Sequence, residues 1–241
     1  MVVSQIYDQS AAGNGKAYVV ENAMPLSSQR STFSILNDYD NFSVFASLLR
    51  GSSLLATRTL GQYDAVTGER NINVFDNYNY TVYVPANATV QKLIDEGYMP
   101  TWEEVDALTA DDCGGDRKAL QTAQTTLTNI INNFLRYHIQ DNSVFIGGTP
   151  QNNVRYESSK INPANKRYFS ITVNANDAKM TVEDQLGNKR NVVKTDGLYN
   201  IIGREYWLQN RDRVMTNQIY QASDVVVHQI DGPLFYDHDQ L

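Results

Sequence analysis

The sequence predicts an α+β fold, helical in its first half and stranded in its second. Three observations carry this. Apolar residues recur at helical spacing over 42–49 and, at greatest length, over 117–139. Apolar and polar residues alternate at strand spacing in most segments after 144. The two kinds of segment come in blocks, not in the βαβ alternation of a doubly wound sheet.

In chain order, DQSAAGNGK (8–16) is small and polar and reads as linker, and AYVVENAMPL (17–26) reads as a strand-like arm closed by Pro25. Residues 1–30 are therefore expected to stand apart from a single domain over 31–241. Phe42, Phe45, Leu48 and Leu49 lie on one helical face, and Gly51 follows as a stop. In YTVYVPANATVQKLIDEG (80–97), Val82 and Val84 alternate as a strand that breaks at Pro85. Val90, Leu93 and Ile94 then restart at helical spacing up to Gly97. Thr101 and Glu104 have the spacing of a capping box. The long helix over 117–139 buries a stripe of Leu120, Leu127, Ile130, Ile131, Phe134, Leu135 and His138. Strands are expected at 144–148, 168–175 and 222–236, with Gly187-Asn188 turning a hairpin between KMTV and RNVV. Polar stretches at 61–79 and 150–165 read as inserted loops.

With 241 residues, 41% hydrophobic and 20% charged, the composition is that of a folded chain able to bury a core without staples. A net charge of −7 argues against nucleic acid or an anionic membrane surface as partner, because phosphate contacts need clustered Lys and Arg. The single cysteine, Cys113, excludes an intrachain disulfide and any multi-cysteine metal site. No apolar run reaches a membrane span, so direct insertion of this segment is not expected.

Chemistry is scarce in the pattern. The three histidines, 138, 228 and 238, show no paired-ligand spacing, and in an alternating strand Asp224 shares the face of His228 while Asp231 lies opposite, so no metal is called. GxSxG is absent, and Cys113 sits among carboxylates, not in the electropositive surroundings that a reactive thiol needs. GNGK (13–16) lacks the phosphate-loop spacing. The pairs Glu103–Glu104 and Asp111–Asp112 read as exposed surface in an acid-rich chain. No catalytic residue and no cofactor is therefore named. Fifteen tyrosines and many Asn and Gln supply flat amphipathic surfaces with hydrogen-bonding tips, suited to binding proteins or sugars. Trp102 and Trp207 serve equally well as core or as sugar platforms.

Three segments, in order, then fit one pattern. YTVYVPANATVQKL (80–93) resembles the first signature of the fasciclin domain, RYHI (136–139) its Tyr-His element, and ASDVVVHQIDGPLF (222–235) its second signature. NFSVFASLLRGSSLL (41–55) is similar to the domain's opening helices. The resemblance implies a β-sandwich wedge with packed helices. It marks Thr81, Pro85, Asn87, Tyr137, His138, His228, Ile230 and Asp231 as signature positions, with Tyr137 and His138 as the element linked to partner binding. Departures are Ala86 for Thr, Thr89-Val90 for a small residue and Phe, and Ser223-Asp224 for Asn-Gly. The extra length at 61–79 and 150–220 resembles bacterial surface variants. The implied role is a non-catalytic adhesion or interaction module, extracellular or on the outer-membrane surface of a bacterium, lipoprotein-like, with its export signal removed from this sequence. Its partner is a protein or a glycan. The alternatives are a glycan-binding component of a polysaccharide-handling system and a spacer; the arm at 17–26 resembles the exit of a preceding tandem copy.

The residue chemistry of the histidines points inward. A neutral imidazole offers one donor and one acceptor, so in an apolar strand it is tolerated when both nitrogens find partners. His228, and with it His138, is expected to be such a satisfied core group. Partner binding is expected on the loops at 61–79 and 150–165, since loops on a rigid scaffold carry variable contacts.

Overall fold

The computed structural model describes residues 3–8, 16–20, 30–55, 70–75, 79–203 and 225–237. The expected block order holds in outline. Helices α1 (Thr32–Asp38), α2 (Ser43–Arg50), α3 (Asn87–Asp95), α4 (Trp102–Ala107) and α5 (Arg117–Tyr137) precede most of the strands. Each begins or ends on the local chemistry that its sequence offers. Ser31 accepts the Ser34 N–H at the start of α1, Thr101 and Glu104 close a reciprocal capping box on α4, and Asp116 accepts the Lys118 N–H at the start of α5.

Gly51 does stop α2, but not as a left-handed cap. Its φ is −87°, which any residue adopts, and the glycine is required because a Cβ there would meet the Trp102 indole at 2.5 Å. The indole Nε1–H donates to the Leu48 carbonyl at 2.7 Å, so the partly buried Trp102 serves as a brace for α2.

Strands β3 (Tyr80–Pro85), β4 (Ile139–Asp141), β5 (Gln151–Ile161), β6 (Tyr168–Ala175), β7 (Met180–Glu183), β8 (Lys189–Val193), β9 (Ile201–Gly203) and β10 (Val225–Ile230) form one sheet. Pairing runs β3-β4-β5-β6-β7-β8-β10 and returns to β3 through a parallel β10–β3 ladder, while β9 adds to the first half of β10. Seven strands thus close a ring. The two separate layers of the expected sandwich are replaced by a barrel-like sheet, because short junctions at Gln140↔Ser158 and at Gln229↔Val193 carry the ladder round the corners.

Strands β3 and β10 are covered on both faces, which is why each reads as a near-continuous apolar run. Val82, Val84, Val225 and Val227 pack outward against α2, α5 and the 54–55 turn, with Phe45, Leu49 and Phe134 among their core partners. Tyr83 and Ile230 face the ring interior with Tyr137, Ile171, Val173, Val182 and Leu234. Each such fully buried side chain contributes about 1.5–3 kcal/mol relative to exposure.

Two expectations need correction. Residues 144–148 are not a strand. Their backbone polar groups are met by side chains: the Val144 N–H donates to Thr81 Oγ1, the Val144 carbonyl accepts from His228, and Asn200 brackets Ile146 at both N–H and carbonyl. Residues 150–165 are not a loop. Most of the stretch is β5, paired with β6 and joined to it by a turn in which Lys166 has φ 60°. Within 1–30, β1 (Val3–Asp8) and β2 (Lys16–Val20) form an antiparallel two-stranded sheet with Ile6, Tyr7 and Tyr18 exposed. Of the 61–79 stretch, only 70–75 and Asn79 are described; there Ile72 is buried and bridges Leu55. Asp224, Trp207 and His238 lie outside the described residues.

Candidate functional site

The signature residues converge, and they do so as tethers between distant segments. Asn87 opens α3 and holds α2. Its Oδ1 accepts the Val44 N–H, and its Nδ2 donates to the Asp40 carbonyl and to Ser43 Oγ. Thr81 Oγ1 donates to the Asn142 carbonyl while accepting from Val144. Pro85 ends β3 opposite Ile230, beyond which the Ala86 N–H donates to the Ile230 carbonyl. Asp231, exposed, accepts from the Asn191 N–H and Nδ2, stitching β10 to β8.

Tyr137 and His138 are both fully buried, so neither side chain presents surface to a partner. The Tyr137 hydroxyl donates to the Ser170 carbonyl and accepts the Gln185 N–H, and burial raises its pKa. His138 caps the C-terminus of α5. The Leu234 N–H donates to His138 Nε2 at 3.0 Å, which leaves the proton on Nδ1, donated to the Phe134 carbonyl at 2.8 Å.

His228 meets only half of the expectation. Its Nε2–H donates to the Val144 carbonyl at 2.8 Å, and its ring stacks near the Tyr83 ring at 6.2 Å between centroids. Among the described residues its Nδ1 is buried without a hydrogen-bond partner, as is the Nε2 of Gln140, whose Oε1 accepts from the Tyr83 hydroxyl. Burial is the main cause that lowers both imidazoles to about 4, against the smaller upward pull of the bonded carbonyls. Arg190 adds a small downward contribution at His138. Both rings are therefore neutral at pH 7.

Two adjoining concavities lie elsewhere, on the helical side, and another of about 410 Å³ lies at the β5–β6 end beside Pro150, Asn152 and Lys179. One hollow of about 310 Å³ has a floor of Leu93, Met99, Ile130, Phe134 and Phe235. Its rim is Thr126, Asn129 and Asn133 from one face of α5, with Tyr98, Tyr236 and Asp237 opposite. A second hollow of about 530 Å³ shares Leu93, Tyr98 and Phe235 with the first, so Tyr98, 47% exposed, stands as a ridge between them. Arg190 lines the second hollow, its Nε donating to the Pro233 carbonyl, and Gly232 is needed beneath it because a Cβ would lie 2.9 Å from that Nε. Sequence reasoning did not find this groove. Its one signal was the polar row Thr126, Asn129 and Asn133 on a helix otherwise read for its apolar stripe.

The chain is thus a helix-packed, seven-strand ring with an aromatic and amide-lined groove between α3, α5 and the 231–237 segment. No protein-family model matches it, and no curated protein matches it. Among solved structures it is similar to a FAS1 domain pair from the insect cell adhesion molecule Fasciclin I, at 13% identity and a TM-score of 0.43. The match covers 95% of this chain and 58% of that structure's chain. Superposition at that level assigns neither family nor role. No helix among the described residues is long and apolar enough to cross a membrane.

Proposed function

We propose that this chain is a non-catalytic, fasciclin-type interaction module, displayed outside a bacterial cell, that binds a protein or glycan partner by surface complementarity. The observation that carries the reading is the convergence of the three signature segments. The first and last pair as parallel strands in register Tyr83↔His228, and the Tyr-His element is bonded to the chain just beyond the last. Signature residues spent on internal tethers are those of a scaffold, and the groove is the surface that the scaffold presents. Its exposed tyrosine and row of amides favour the glycan form of the reading.

The test is binding of fluorescently labelled chain to intact cells of the source organism and to their extracted surface polymers. Saturable binding that unlabelled chain displaces is expected, with polymer length unchanged after prolonged incubation. Non-saturable binding, or progressive shortening of the polymer, contradicts the reading.

A further inference from the structure

We propose that the first hollow takes an acidic saccharide, its rings lying between Tyr98 and Tyr236 and its carboxylate held by Arg136 and Lys160. This rests on the glycan form of the reading above and adds to it the site and the charge of the ligand.

Arg136 lies three residues beyond Asn133 in the last turn of α5, hence beside it on the helix surface. The Lys160 Nζ stands 5.2 Å from the centre of the Tyr236 ring, which also packs on Phe169 and Tyr137, so the two cations are not lining residues but stand just beyond the Asn133–Tyr236 end of the hollow. Both are partly buried, and among the described residues neither meets a carboxylate. In a chain with 27 acidic and 20 basic residues, that is not for want of acids. Burial lowers the pKa of each, and Arg136 lowers that of Lys160 further. The α5 terminus and the Tyr236 ring make the pair tolerable, but both leave N–H groups open to an anion. In the second hollow Lys92 pairs with Glu96, and Arg190 donates to the Pro233 carbonyl with Asp231 also in the lining, so no anion is called for there.

The rest of the lining fits a sugar better than a peptide. The hollow is walled by helices and loops with no strand residue, so an extended peptide finds no edge for main-chain pairing. The exposed Tyr98 ring offers a flat face to pyranose C–H groups, and the Asn129 amide, which bonds nothing among the described residues, matches hydroxyls.

The experiment is calorimetric titration of the whole chain with oligogalacturonate, oligomannuronate and hyaluronan fragments, beside the methyl ester of each, a neutral oligosaccharide and hexaglutamate. At least one uronate oligomer is expected to bind, with its methyl ester about tenfold weaker or worse. Arg136→Gln and Lys160→Gln should each weaken it about tenfold, and Tyr98→Ala comparably, with unchanged thermal midpoints showing that the variants are folded. The proposal is overturned if no uronate binds, if the ester or neutral sugar binds equally, if the two charge variants bind like the parent, or if hexaglutamate matches the best uronate. Cell binding retained in the Arg136→Gln/Lys160→Gln double variant sinks this site alone; absence of cell binding by the parent chain sinks the module reading itself.

Discussion

His138→Ala is expected to lower the unfolding free energy by about 3–5 kcal/mol, read as a shift in urea midpoint at unchanged slope. Two costs add. The Leu234 N–H loses its only acceptor among the described residues in a fully buried place, and the Phe134 carbonyl loses the imidazole donor. The ring also packs between Phe134, at 4.2 Å between centroids, and Phe45, at 6.0 Å, so its removal opens a cavity at the junction of α2 and α5. A domain with about 5–15 kcal/mol to lose is left marginal. A His138→Ala chain as stable as the parent would show that the bond from 138 to 234 is not a structural tie.

The second large effect is acid lability at a pH above ordinary carboxylate titration. His138 and His228 take up protons near 4 in the fold and near 6.5 in the unfolded chain. As pH falls from about 6.5 towards 4, the unfolded state therefore binds up to two protons that the folded state refuses. Stability is complete above about 6.5 and declines through that window by about 1.4 kcal/mol per pH unit for each histidine. Denaturation curves at stepped pH check the slope. In His228→Gln, which keeps a donor for the Val144 carbonyl, the histidine part of the slope should halve. A flat profile between pH 6.5 and 4.5 contradicts the assignment.

Helices were readable because their signals are local. The Thr101–Glu104 box, the Phe42–Leu49 face and the stripe of α5 all lie within a few turns of chain, and the structure places them as expected. What sequence pattern missed depends on distant partners. Val144 and Ile146 alternate as a strand does, yet their backbone is satisfied by Thr81, His228 and Asn200, between 54 and 84 positions away. Strand β5 was hidden by Asn152, Asn153 and Glu157, because its outer face is exposed and its apolar content low. Ring closure turns on a parallel pairing between 80–85 and 225–230, which no local pattern encodes. The groove likewise joins residues 93–99, 126–134 and 235–237, each unremarkable alone. Tyr137 and His138 are a different case. The resemblance marked them for binding, whereas their burial assigns them to the core, as the chemistry of an imidazole in an apolar setting had indicated for His138.

The claim beneath the whole account is that the two imidazoles are neutral internal struts. Long-range proton–nitrogen NMR of the ring nitrogens, followed from pH 8 to 4, tests it most directly. One fixed tautomer each is expected, protonated on Nδ1 at 138 and on Nε2 at 228, with neither ring charging until close to pH 4. Averaged tautomers that titrate together near pH 6.5 would place both rings in water and contradict it.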